Sequence, residues 1–105
     1  MTDIQVTDNT ELERYEAHLD GALAGFAQYE LRPGSIVFFH TEVDPAFEGH
    51  GIGSTLITAS LADVRAKGER TVVPTCPFYR SYLTKHTDYD DLIEPHFLKQ
   101  LEADR

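Results

Sequence analysis

The chain has a single cysteine, Cys76, so no disulfide forms within it and its stability must come from packing and hydrogen bonding. It is also short of positive charge: nine Lys and Arg stand against eighteen Asp and Glu, for a net charge of -9. Such a field repels phosphate backbones and anionic lipid surfaces, which argues against nucleic-acid and membrane partners; it either serves solubility alone or favours a cationic substrate such as an amine. No run approaches the roughly 18 consecutive apolar residues that a membrane span needs. The start, MTDIQVTDNTELE, lacks the basic and apolar regions of a secretory signal. A soluble, cytoplasmic protein is expected. Repeats, low-complexity tracts and long linkers are missing as well, and 105 residues suffice for one domain, 1–105, with one modest core.

What is present reads as short strands followed by helices. Residues 3–8 and 12–19 have strand character, and Asp20-Gly21 supplies a hairpin turn into a third strand over 22–31. Arg32-Pro33-Gly34 turns the chain again. SIVFFHTEV, 35–43, is the strongest strand signal, and period-two alternation predicts Ile36, Phe38, His40 and Glu42 on one face and Val37, Phe39, Thr41 and Val43 on the other. A helix is predicted over about 51–67, with Ile52, Leu56, Ile57, Leu61 and Val64 on its apolar side, Asp63 intruding there, and Gly68 closing it. TVVPTC, 71–76, reads as a strand in which Pro74 marks either a sheet edge or a break in pairing. Helices over 77–85, with Pro77 in the first turn, and around 95–103 complete an α+β domain on a mixed, mostly antiparallel sheet with two to three helices.

The stretch EGHGIGS, 48–54, spaces three glycines at alternate positions just before the long helix. Glycine costs helix stability, so such a cluster belongs where the backbone turns sharply or approaches a ligand closely. A phosphate-binding P-loop requires Lys after its last glycine, and Ser54 stands there. A dinucleotide fingerprint requires Gly-x-Gly-x-x-Gly, and here the third glycine comes one residue early.

Glu48-Gly49-His50-Gly51-Ile52-Gly53 does match, at both glycine positions, the Gln/Arg-x-x-Gly-x-Gly/Ala loop of the Gcn5-related N-acetyltransferases. With HTEVDPAFEGHGIGSTLI, TVVPTCPF and Tyr89-Asp90-Asp91-Leu92, the chain resembles the small, minimal YjdJ-type members of that superfamily over roughly residues 4–92. The resemblance implies a fold with a central, splayed pair of parallel strands and a site for acetyl-coenzyme A. Backbone N–H groups of Gly49, His50, Gly51, Ile52, Gly53 and Ser54 would take the diphosphate, with Thr41, Val43, Cys76 and Pro77 along the slot between the parted strands. A glycine-rich loop leading into a helix N-terminus suits a diphosphate without any basic side chain. Glu48 departs from the family pattern, which has Gln or Arg there, and would repel phosphate unless turned to solvent.

Acetyl transfer to an amine needs a base for the ammonium proton, a donor for the developing oxyanion and an acid for the leaving thiolate. His40 and Glu42 end the strongest strand on one face, about 6 to 7 Å apart along it, and either could be the base. Under the resemblance Cys76 comes near the thioester and His40, either accepting the acetyl group or, in direct transfer, lining the tunnel. Tyr79 and Tyr82 are the implied candidates for the acid. A zinc reading of His40-x-Glu42 with Pro74-x-Cys76 fails for want of a second cysteine, since Tyr79 holds its place. The early strands are joined by turns alone, so the acceptor site is expected to be shallow and open, suiting a protein or polyamine amine; a monomer is consistent with the chain.

Overall fold

The computed structural model describes residues 3–105. Five strands run in the order β1 (Ile4–Asn9), β2 (Arg14–Leu19), β3 (Ala22–Arg32), β4 (Ser35–Val43) and β5 (Thr71–Pro74). The first four pair antiparallel with their neighbours, and β5 lies parallel to β4. The helices are α1 (Ile52–Lys67), α2 (Pro77–Lys85) and α3 (Pro95–Asp104). This is the α+β domain on a mixed sheet that the element order predicts.

The turns work through local chemistry. Asp20 and Gly21 both take positive φ, 53° and 81°, as the tight turn between right-twisted strands demands. The expected strand 12–19 starts later, at Arg14, because Asn9 accepts from the Leu12 N–H at 3.2 Å and Glu13 turns through φ 49°, which leaves Leu12 in the turn and exposed. The parallel pair sits at one end of the sheet rather than at its centre. Beyond β5, among the described residues, the sheet is followed by an isolated bridge from Ile93 to Val72 and the Glu94 N–H bonded to the Val72 carbonyl, and no further strand continues it.

One helix layer covers one face. The predicted stripe of α1, Ile52, Leu56, Ile57, Leu61 and Val64, is buried against Tyr15, Ala17, Ala27, Tyr29, Ile36 and Phe38. The intruding Asp63 accepts from the Tyr15 hydroxyl at 2.6 Å and pairs with Lys67 at 2.8 Å, so its charge at the core's edge is matched. From α2, the Tyr79 ring stacks on Phe38 with centroids 4.5 Å apart, and its hydroxyl meets Ser60 at 2.7 Å inside the core. The other face of β2–β4 carries Arg14, Glu16, Phe26, Gln28, His40 and Glu42, none of them buried.

The strand alternation predicted for β4 holds only as far as Phe38. Tyr29 opposes Phe38 while Gln28 opposes His40, so Phe39 is an extra residue with no partner in β3. A bulge of this kind reverses which residues face the core. Buried Ala27 opposes Thr41, so Thr41 shares the helix-covered face with Ile36 and Phe38. His40 and Glu42 do share a face, as expected, but it is the outer one, with Phe26 and Gln28.

Candidate functional site

Parallel pairing between β4 and β5 ends at Phe38 and Pro74. The Phe38 carbonyl there accepts from both the Thr75 and Cys76 N–H groups, at 3.1 and 2.9 Å, which pins the point where the strands part. Proline has no N–H with which to extend the ladder. β4 continues to Val43 with no strand beside it on that side. Both sequence readings of Pro74 therefore apply, since β5 is an edge strand and its pairing also breaks.

The fork opens beside the N-terminus of α1. Gly49 and Gly51 take φ values of 85° and 76°, the left-handed region that glycine enters without a steric penalty. Gly51 is the N-cap, no side chain caps the helix, and its first turn has no acidic residue. The N–H groups of Ile52, Gly53 and Ser54 thus point out of the helix start without an intrahelical acceptor, and the positive end of the helix dipole adds to them. Asp44 does not compete for them: its carboxylate accepts from Ala46 N–H at the start of the short 3₁₀ turn Pro45–Phe47. Glu48 is exposed, as is His50, whose N–H reaches the Phe47 carbonyl.

On the walls of the fork, the Cys76 thiol lies 3.4 Å from the Thr41 hydroxyl and is buried, with Pro77 opening α2 directly after it. Val43 packs against the core from β4. A groove of about 230 Å³ runs from the mouth of α1 between α1 and α2, lined by Ser54, Phe78, Ser81, Tyr82 and Lys85. Tyr82 stacks on His86 at 3.9 Å. Burial, then the charges of Tyr89 and Asp88, raises the Tyr82 phenol above its ordinary pKa. The buried Tyr79 phenol is pushed further up, chiefly by burial.

The fold separates residues that sequence reasoning had grouped. Thr41, Cys76, Tyr79 and the glycine loop belong to the helix-covered face, whereas His40 and Glu42 lie on the outer face, joined Nε2 to Oε1 at 2.9 Å. Beyond Phe38 the β4 edge has no strand partner among the described residues, and Thr41 meets Cys76 there.

Two residues outside the sequence-level set shape this region. Gly25, on β3, is so close to β4 that a Cβ there would stand 2.7 Å from the Glu42 carbonyl oxygen and 3.0 Å from Ile52 Cγ2. A lone glycine inside a strand was the available signal for such an approach. Phe78 lays its ring over Gly53, where a Cβ would fall 2.3 Å from Cζ. No local pattern announces that contact.

A second cavity, of about 360 Å³, lies at the far end of α1 among Asp8, Tyr15, Tyr29, Lys67 and Arg70. It is roughly 24 Å from the mouth by helix rise; Asp8, Tyr15, Tyr29 and Lys67 are engaged in Tyr29–Asp8, Tyr15–Asp63 and Lys67–Asp8 contacts, while the buried Arg70 Nε has no hydrogen-bond partner among the described residues. Among the described residues, no group of three or more His, Cys, Asp or Glu side chains is placed to hold a metal ion, and no helix is long and apolar enough to cross a membrane.

Comparison with known proteins agrees with this fold. No curated protein matches the sequence significantly. Among solved structures, the ribosomal-protein-S18-alanine N-acetyltransferase from Escherichia coli is similar in fold, with a TM-score of 0.55 at 17% identity, over 69% of this chain and 64% of that one. The chain thus spans less than two thirds of that enzyme's length. The family described as GCN5-related N-acetyl-transferase matches residues 14–92, from the first residue of β2 to Leu92, the last residue of the 3₁₀ turn before Ile93. The chain belongs to the GCN5-related N-acetyltransferases.

Proposed function

We propose that residues 1–105 form one minimal, YjdJ-type acetyltransferase domain that moves an acetyl group from acetyl-coenzyme A to an amine. The observation that carries this reading is the fork between β4 and β5, which opens beside the uncapped start of α1 on one face and beside the His40–Glu42 pair on the other. Two reactants arriving from opposite faces can meet in such a gap.

The residues fit the cofactor. Gly49, His50, Gly51, Ile52, Gly53 and Ser54 form the cradle, in which the first-turn N–H groups of α1 bind the diphosphate and the left-handed glycines keep side chains out of the way. Glu48 is exposed to solvent. Thr41 and Val43 on one side and Cys76 and Pro77 on the other wall the slot, while Phe78 gives its entrance an aromatic surface. Bound acetyl-coenzyme A supplies the acetyl thioester.

On the outer face the chain's negative charge draws in an ammonium group, and the His40–Glu42 pair takes its proton so that the free amine can attack. Cys76 lines the slot in a direct transfer. Tyr82, whose ring lines the groove next to Phe78, protonates the departing thiolate, while Tyr79, with its hydroxyl held by Ser60, has a packing role. A cytoplasmic setting accords with the single unpaired thiol.

The test is cofactor binding by thermal shift, together with thiol release across a panel of amines, for the wild type and for Glu42→Gln, His40→Asn and Cys76→Ala. Coenzyme A at a hundred times a micromolar Kd stabilises a protein that binds it by about 2.7 kcal/mol, and a flat melting curve there ends the proposal. The rival reading is a coenzyme A binding module with little turnover, favoured by Glu48 at the position where the family has Gln or Arg. Stabilisation without thiol release on any amine selects it.

A further inference from the structure

We propose that the acceptor is a peptide-borne amine, selected by a bulky apolar side chain one or two residues from that amine, and that the selecting site is the outer-face groove beside the β4 bulge. This rests on the acetyltransferase reading for the chemistry but not for the binding.

The bulge leaves Phe39 without a partner in β3, and its ring is 46% exposed. Five large apolar side chains are exposed to this degree or nearly so among the described residues, and two of them flank the fork: Phe78 on the cofactor side and Phe39 on the acceptor side. Together with Val37, Val73 and Phe97, Phe39 lines a groove of about 560 Å³.

Three features commit the groove to one occupant. It adjoins the proposed base along β4, because Phe39 in its lining is followed on the same outer face by His40. Adjacent Cα atoms are about 3.8 Å apart, so a side chain in the groove and an amine at His40 belong to the same or neighbouring residues of one ligand. The groove is open along its length. A small-molecule site encloses most of its ligand, whereas an open trough suits one anchoring side chain of an extended chain. The charges around it favour a cation. Arg32, the one basic residue in the lining, is held by Glu30 at 2.7 Å, and Glu94 adds a further carboxylate to the lining.

The experiment compares two peptides that differ at one position, Lys-Phe-Gly and Lys-Ser-Gly amides, in thiol release and, with a fluorescent label, in binding by anisotropy. The proposal expects kcat/KM to favour the phenylalanine peptide by about tenfold in the wild type, with the ratio falling to about twofold or less in Phe39→Ser and in Val73→Thr. Phe39 is exposed and Val73 only half-buried, and circular dichroism checks that both variants fold. If neither peptide is acetylated, the acetyltransferase reading fails on these acceptors, and the same ratio read in Kd still decides the groove's role. Equal affinities, no binding of either peptide, or a preference that survives Phe39→Ser overturns the proposal.

Discussion

His40 and Glu42 touch, Nε2 to Oε1 at 2.9 Å, on the face of the sheet that Thr41 and Cys76 do not share. The pair is therefore reached from the open side of the sheet and not from the helix-covered side. Glu42→Gln and His40→Asn are expected to lower kcat by about a hundredfold or more, the usual worth of a general base, with coenzyme A affinity unchanged. Steady-state kinetics with calorimetric titration checks this. A kcat within twofold of wild type in both variants removes the pair from the mechanism.

Two glycines near the fork are expected to respond in opposite ways. At Gly25 an added Cβ meets backbone, 2.7 Å from the Glu42 carbonyl oxygen, and neither strand can yield. Gly25→Ala is expected to cost about 2 kcal/mol in urea unfolding, as overpacking does. At Gly53 the obstacle is the outer end of the exposed Phe78 ring, which can swing aside. Gly53→Ala in a Phe78→Ala background is expected to stabilise by up to about 1 kcal/mol, the helix preference of alanine over glycine. A loss at Gly53→Ala that persists in the Phe78→Ala background would show that something other than the Phe78 ring confines Gly53.

The two tyrosines of α2 separate by readout. Tyr79→Phe removes the buried bond to Ser60, whose hydroxyl keeps the Ile57 carbonyl as acceptor at 3.0 Å, so a loss of about 1 kcal/mol with turnover retained is expected. Tyr82→Phe is expected to lower kcat with little change in stability. Reversed outcomes would move the acid to Tyr79.

Acid stability has an identifiable contributor in Asp63. The Lys67 ammonium, then the Tyr15 hydroxyl, hold its carboxyl below the usual carboxylate range in the folded chain. A depressed folded pKa means that the stabilisation is present above the unfolded value of about 3.9 and is lost as pH falls through the folded one. Asp63→Asn should thus be less stable than wild type at pH 7, with the gap closing as pH falls below about 4. The effect is small because Asp63 and Lys67 are partly exposed. A gap that stays constant from neutral to acid pH contradicts the assignment.

Cys76 offers a check on direct transfer. The thiol is buried at the fork, so Cys76→Ala should still acetylate an amine, and the wild type mixed with acetyl-coenzyme A alone should show no acetyl adduct by intact mass. A stoichiometric adduct on Cys76 would establish a covalent step instead.

The sequence by itself determined what depends on neighbours along the chain. Alternation and turn residues marked the strands, the apolar stripe marked α1, and Gly68 marked its end with φ 63°, because each is a local preference of a few residues. The glycine spacing at 49, 51 and 53 was legible for the same reason. Tertiary structure alone decided which way the site faces. The Phe39 bulge arises from the register of β4 against β3, a one-residue slip that sends His40 and Glu42 to the side opposite Phe38 and that no periodicity within β4 records. Likewise Asp63 against Tyr15 and Phe78 over Gly53 join residues far apart in the chain, and only packing the helices on a twisted sheet brings them together.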